Sequence, residues 1–175
     1  MAVDLVDFDE NGLEITWTGL SIGINGWGNI GPQITVADIE RYTTDLLTQN
    51  IDQSEEVVLL GACRHITFEE VNMILEKLSA REKRENAIEE RKWRVLYVKK
   101  YLCRIEKLDY VIGLVGFDEM WTLLGIPDDM PYRPQSGSGF SVEDYYCEEM
   151  FHHIIQRHLI WINDEINQIR ALEII

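Results

Sequence analysis

The chain has 175 residues, 46% of them hydrophobic, with five Trp, seven Tyr and five Phe. That is the size of one ordinary domain with enough apolar mass for a core, and it excludes an intrinsically disordered chain. Thirty-one acidic against sixteen basic residues give a net charge of −15, which argues against nucleic acid or an anionic membrane as the main partner, since both need a cationic surface.

In chain order, Asp4-Leu5-Val6-Asp7-Phe8 and Leu13-Glu14-Ile15-Thr16-Trp17 flank Asn11-Gly12, and an Asn-Gly pair between two such runs predicts a β-hairpin. Five glycines between Gly19 and Gly31, ending at Pro32, predict a loop with little regular structure. Thr35 with Asp38 opens a helix as a capping box, and Ile39, Tyr42, Leu46 and Leu47 give it one apolar face. Residues 55–62 are ambiguous between buried strand and helical turn; the leading Glu55-Glu56 and the helical surroundings tilt the reading to helix.

Thr67 with Glu70 forms a second capping box, followed at helical spacing by Phe68, Val71, Ile74, Leu75 and Leu78. A long amphipathic segment runs on to Lys107, with a break expected near residues 79–81. Residues 109–125 read as a further short helix containing Trp121. Three prolines and Ser136-Gly137-Ser138-Gly139 make residues 126–139 a surface loop by composition. Ser141 with Asp144 is expected to cap a last helix, in which Phe151, Ile154, Ile155, Leu159, Ile162, Ile166, Ile169 and Leu172 recur at three- and four-residue steps. No internal repeat or interdomain linker stands out. The expected architecture is mainly α: a single domain over residues 1–175, a helical bundle with a short N-terminal β-hairpin and a Gly-rich loop.

Charge is unevenly placed. Residues 1–60 carry eleven acids against Arg41 alone, and residues 111–175 carry eleven acids against Arg133, Arg157 and Arg170. The middle carries twelve bases and nine acids, the pattern of a solvated helix laced with ion pairs. Acidic ends keep a protein soluble, and they also suit a surface that steers a basic partner.

Motifs for chemistry are sparse. Gly26-Trp27-Gly28-Asn29-Ile30-Gly31 spells GxGxxG, but Pro32 follows at once, no βαβ pattern surrounds it, and a structural loop is the better reading. Glu149 and His152 form an ExxH pair of the kind found in carboxylate-bridged metal sites, but no second ExxH exists to complete one. There is neither an HExxH nor a GxSxG. A non-catalytic protein with no cofactor or bound metal is therefore expected. The alternatives are a metal-dependent enzyme using the Glu149/His152 region and a helical adaptor or oligomerisation protein.

The start of the chain has no basic region leading into an apolar stretch, so no secretory leader is expected, and the longest apolar runs fall far short of a membrane span. Cys63, Cys103 and Cys147, odd in number and without a CxxC, fit reduced thiols in a cytoplasm. Among the aromatics, Trp93 and Tyr97 stand four apart on one helix, while Trp17 and Trp27 bracket the glycine segment; both pairs are expected in the core.

Trp17-Thr18-Gly19-Leu20, Gly26-Trp27, the segment Arg91 to Tyr97, Gly116-Phe117-Asp118 and the acid-and-proline stretch Pro127 to Pro134 occur in a fixed order. In them the chain resembles a family of bacterial proteins of about this length, often encoded beside secreted polymorphic toxins. It departs from the family's pattern at Glu119-Met120-Trp121, where a proline tends to follow the Phe-Asp pair. The resemblance implies a cytoplasmic immunity protein, a stoichiometric inhibitor that binds a cognate toxin domain. An acidic inhibitor complements the basic face of a toxin that attacks nucleic acid. On that reading the partner-binding residues are Asp4, Asp7, Asp9, Glu10 and Glu14 near the start, with Asp128 and Asp129 in the proline loop.

Overall fold

The computed structural model describes residues 2–105 and 109–173, except for the Arg64 side chain. Among them lie α1 (Leu5–Glu10), α2 (Trp17–Asn25), α3 (Val36–Thr48), α4 (Glu55–Leu60), a 3-10 turn at Cys63–His65, α5 (Phe68–Glu82), α6 (Asn86–Ile105), α7 (Tyr110–Leu123), α8 (Gln135–Ser138), α9 (Val142–Tyr145) and α10 (Glu148–Glu173). The protein is mainly α, with no β-strand among the described residues. None of these helices is long and apolar enough to cross a membrane. The chain forms two compact units, a first from Ala2–Trp27 and Gly31–Trp93 and a second from Gly28–Ile30 and Arg94 onward.

In the first unit, the expected hairpin over residues 4–17 is instead a helix end followed by a helix start. The Asp4 side chain accepts from the backbone N–H of Val6 and Asp7, while Asp7 Oδ2 accepts from the Asp4 N–H at 2.8 Å, a reciprocal cap. Asn11-Gly12 closes α1: Gly12, at φ 57°, donates to Asp9 O, and Leu13 N donates back to Phe8 O. Asn-Gly signals a left-handed backbone position, and a hairpin turn and a helix C-terminus both need one. The Asp4/Asp7 spacing decides in favour of the helix.

The expected glycine loop is also mostly helix. Thr16 Oγ1 accepts from Gly19 N at 2.8 Å, and the Glu82 carboxylate at the end of α5 accepts from the Trp17 and Thr18 N–H groups, so α2 starts with its free donors satisfied. Gly19 and Gly23 face inward. A Cβ on Gly23 would stand 2.3 Å from Trp93 Cζ2, and Trp93 Nε1 donates to Gly19 O at 2.8 Å. Glycine here removes side-chain volume so that an indole can lie against the helix backbone. Only Gly26–Gly31 remains loop, with Gly26 at φ 84°.

The other starts follow their capping boxes, Thr35/Asp38 for α3 and Thr67/Glu70 for α5. Residues 55–60 are helical, as the charge pattern suggested. The break between α5 and α6 falls at 83–85, a few residues past the expected place, with Lys83 in the left-handed region at φ 56°.

In the second unit α7 packs on α10 around Phe117, Met120, Trp121, Ile154, Ile162 and Ile169, all buried. Gly113 admits the Phe151 ring, which a Cβ would meet at 2.3 Å. Ser141 caps the four-residue α9, with its Oγ accepting from Asp144 N; α10 begins separately at Glu148. The loop expected over 126–139 contains the short α8 and buries Tyr132.

Candidate functional site

The structure assigns the seven predicted partner-binding acids to different tasks. Asp4 and Asp7 cap α1. Glu14 pairs with Arg84, and its backbone carbonyl accepts from Lys92 Nζ at 3.0 Å. Asp129 grips the Arg94 guanidinium with both oxygens, and Arg94 also reaches Glu165 at 3.3 Å and lies 5.5 Å from the centre of the Trp161 ring. Asp9, Glu10 and Asp128 are exposed. The set from 4 to 14 belongs to the first unit and Asp128 with Asp129 to the second.

Around Asp9 the first unit carries a shallow groove of about 220 Å³ between α1 and α3, walled by Val6, Asp9, Tyr42, Asp45, Leu46 and Ile51. Val6 is 56% and Ile51 65% exposed, so the groove presents apolar surface to solvent. Arg41 also lines it, but its guanidinium is held by Asp38 at 2.9 Å. The Tyr42 hydroxyl donates to Ile15 O at 3.2 Å. Burial, helped by the negative charges of Glu82, Glu14 and Asp9, pushes that phenol up to about 12, which keeps it a proton donor at neutral pH. The result is an apolar strip edged by Asp9 and Asp45, the composition of a protein-binding groove with a negative bias. Asp45 joins the candidates only in three dimensions, because residues 11–35 separate its helix from α1.

The buried polar groups are turned inward. Lys92 and Glu89 are 0% and 1% exposed, with Nζ 2.9 Å from Oε1. The Glu89 carboxylate has Lys92 and Thr16 as neighbours, in electrostatic contact without well-directed hydrogen bonds, and burial raises its pKa above the usual carboxylate value. In the second unit, His158 Nε2 accepts from Trp121 Nε1 at 2.9 Å, which places the proton on Nδ1, 2.7 Å from Ile154 O. Its ring stacks on Phe117 at 4.3 Å, and burial lowers its pKa to about 4, so it is neutral. Asp118 Oδ1 accepts from Tyr132 at 2.7 Å and Tyr145 at 3.2 Å; burial raises both phenols far above their ordinary value. His158, Tyr132 and Tyr145 each have their proton directed at a chosen partner, the arrangement of a structural network.

Glu149 and His152 are both exposed on α10. Among the described residues, no three or more His, Cys, Asp or Glu side chains converge to hold a metal ion. No β-strand precedes Gly26–Gly31, and the next helix starts only at Val36, so the GxGxxG string lacks the frame of a phosphate cradle. Cys63 is buried, Cys147 half-buried and Cys103 exposed, all as free thiols.

The described residues form a helical scaffold with an inward-facing polar network and an exposed, acid-edged apolar groove. The chain belongs to the bacterial family described as "uncharacterized protein conserved in bacteria" (DUF2247), which it matches over residues 5–166. No curated protein and no solved structure matches it. Several of the residues that carry the sequence resemblance build the core. Thr18 and Gly19 bond Glu82 and Trp93, Phe117 stacks on His158, and Asp118 anchors two tyrosines. Sequence reasoning missed the Glu89–Lys92 pair; its three-residue spacing was visible, but nothing in the sequence distinguishes it from the exposed pairs around it.

Proposed function

We propose that the protein is a non-catalytic immunity protein that binds a basic toxin domain through the groove between α1 and α3. The observation that carries this reading is the apolar strip of Val6, Leu46 and Ile51 edged by Asp9 and Asp45, in a segment where eleven acids face a single arginine. Apolar area supplies affinity, and the surrounding carboxylates speed encounter and select a basic partner. Of the acids first singled out, Asp9 and Glu10 serve the partner. Asp4, Asp7, Glu14 and Asp129 hold the fold, and Asp128 lies outside this groove.

Tagged protein from its own host's lysate tests the proposal. The wild-type chain captures one basic protein at 1:1, and capture weakens as salt rises from about 0.05 to 0.5 M, because the encounter is electrostatic. Asp9→Lys/Asp45→Lys loses about tenfold or more in affinity with thermal stability unchanged, since both side chains are exposed and outside the caps. A captured partner that is acidic, or that binds the doubly reversed variant equally well, overturns the reading.

A further inference from the structure

A second concave site, independent of the groove between α1 and α3, lies wholly in the second unit. It is a cleft of about 400 Å³ where the 126–141 segment meets the first turns of α10, within the range of small-molecule sites. Arg133, Arg157 and His153 line it beside Phe140, Met130 and Met150. Its electrostatics run against its surroundings: residues 111–175 hold eleven acids and three arginines, and two of those three arginines converge here. Elsewhere in the chain Arg41, Arg81, Arg84 and Arg94 are each held by a carboxylate, whereas no ion pair engages Arg133 or Arg157 among the described residues. One acid, Asp128, stands in the lining.

The walls select further. Tyr132 and Tyr145 also line the cleft, but their hydroxyls are committed to Asp118, so they offer ring surface. Phe140 is 51% exposed, and it lines the cleft together with the two half-buried thioethers. Two unpaired guanidiniums beside aromatic and thioether walls suit one planar anion on an apolar body: guanidinium forks match a carboxylate, and rings and Met sulfurs accept a flat hydrocarbon. The Asp128 carboxylate disfavours a polyanion such as a nucleotide.

From this we infer that the cleft binds a small organic acid, a single carboxylate carried on an aromatic or compact aliphatic body. 2-Naphthoate is a suitable probe, with the uncharged 2-naphthylmethanol as its control, followed by the methyl resonances of Met130 and Met150. The carboxylate moves both methyl signals to saturation, and the alcohol binds about tenfold or more weakly. Arg133→Gln/Arg157→Gln loses about tenfold or more for the carboxylate while its binding of the alcohol is unchanged, and both side chains are exposed, so the variant keeps the wild-type unfolding temperature. Asp128→Asn tightens the carboxylate. Equal binding of acid and alcohol, undiminished binding in the double variant, or no shift of either methionine at millimolar naphthoate each overturns the assignment.

Discussion

His158 shows how one buried side chain couples this fold to pH. In the folded chain its pKa falls from 6.5 to about 4, first because it is desolvated, although its hydrogen bond to Ile154 O works the other way. The unfolded chain therefore binds a proton between about pH 6.5 and 4 while the folded chain does not, and stability drops as pH falls through that window. The full effect is on the order of 3 kcal/mol. Thermal unfolding of the wild type should shift down between pH 7 and 5 more steeply than that of His158→Gln, which has no titrating ring. Parallel pH profiles would mean that the ring is not held neutral. Gly23 makes the complementary point at the same scale. Its missing side chain is what lets Trp93 bond Gly19 O, so a residue that reads in sequence as a helix breaker is a packing device.

At the scale of elements, the helices follow their capping chemistry more closely than their turn signals. Thr35/Asp38 and Thr67/Glu70 mark α3 and α5 in the sequence, and the apolar stripe from Phe151 to Ile169 marks α10. The front of the chain was misread because Asn-Gly and a glycine-rich run have two physical uses each. Which one applies depends on partners far away, such as Glu82, which caps α2 across more than sixty residues. For the same reason only part of the candidate groove was legible. Asp9 and Glu10 stand out by charge, but Asp45 and Ile51 join them only because α3 packs beside α1.

The Glu89–Lys92 pair on α6 gives this scale its test. Glu89→Gln removes the buried counter-charge of Lys92 and costs about 3 kcal/mol, while Glu89→Gln/Lys92→Met removes both charges and recovers more than half of that. Chemical denaturation of the two variants measures it. A double variant as unstable as the single one would show that the pair serves the core by more than mutual neutralisation.

For the whole molecule, the net charge of −15 is divided by role. Some carboxylates cap helices, some clamp arginines, and those left exposed around α1 and α3 give that face its sign. On the proposed reading, such a surface favours association with a cationic protein. The uneven charge along the chain was visible in the sequence, but the division of labour among the acids was not, because it depends on which base each one meets in space.

The most direct test of this account is growth. The gene of the captured basic partner is expressed in a heterologous bacterium, alone, with the wild-type chain, and with Asp9→Lys/Asp45→Lys. The partner alone is expected to arrest growth, the wild-type chain to restore it fully, and the variant at equal protein level to leave the arrest in place. Unimpaired growth with the partner alone, or equal protection by the variant, would contradict it.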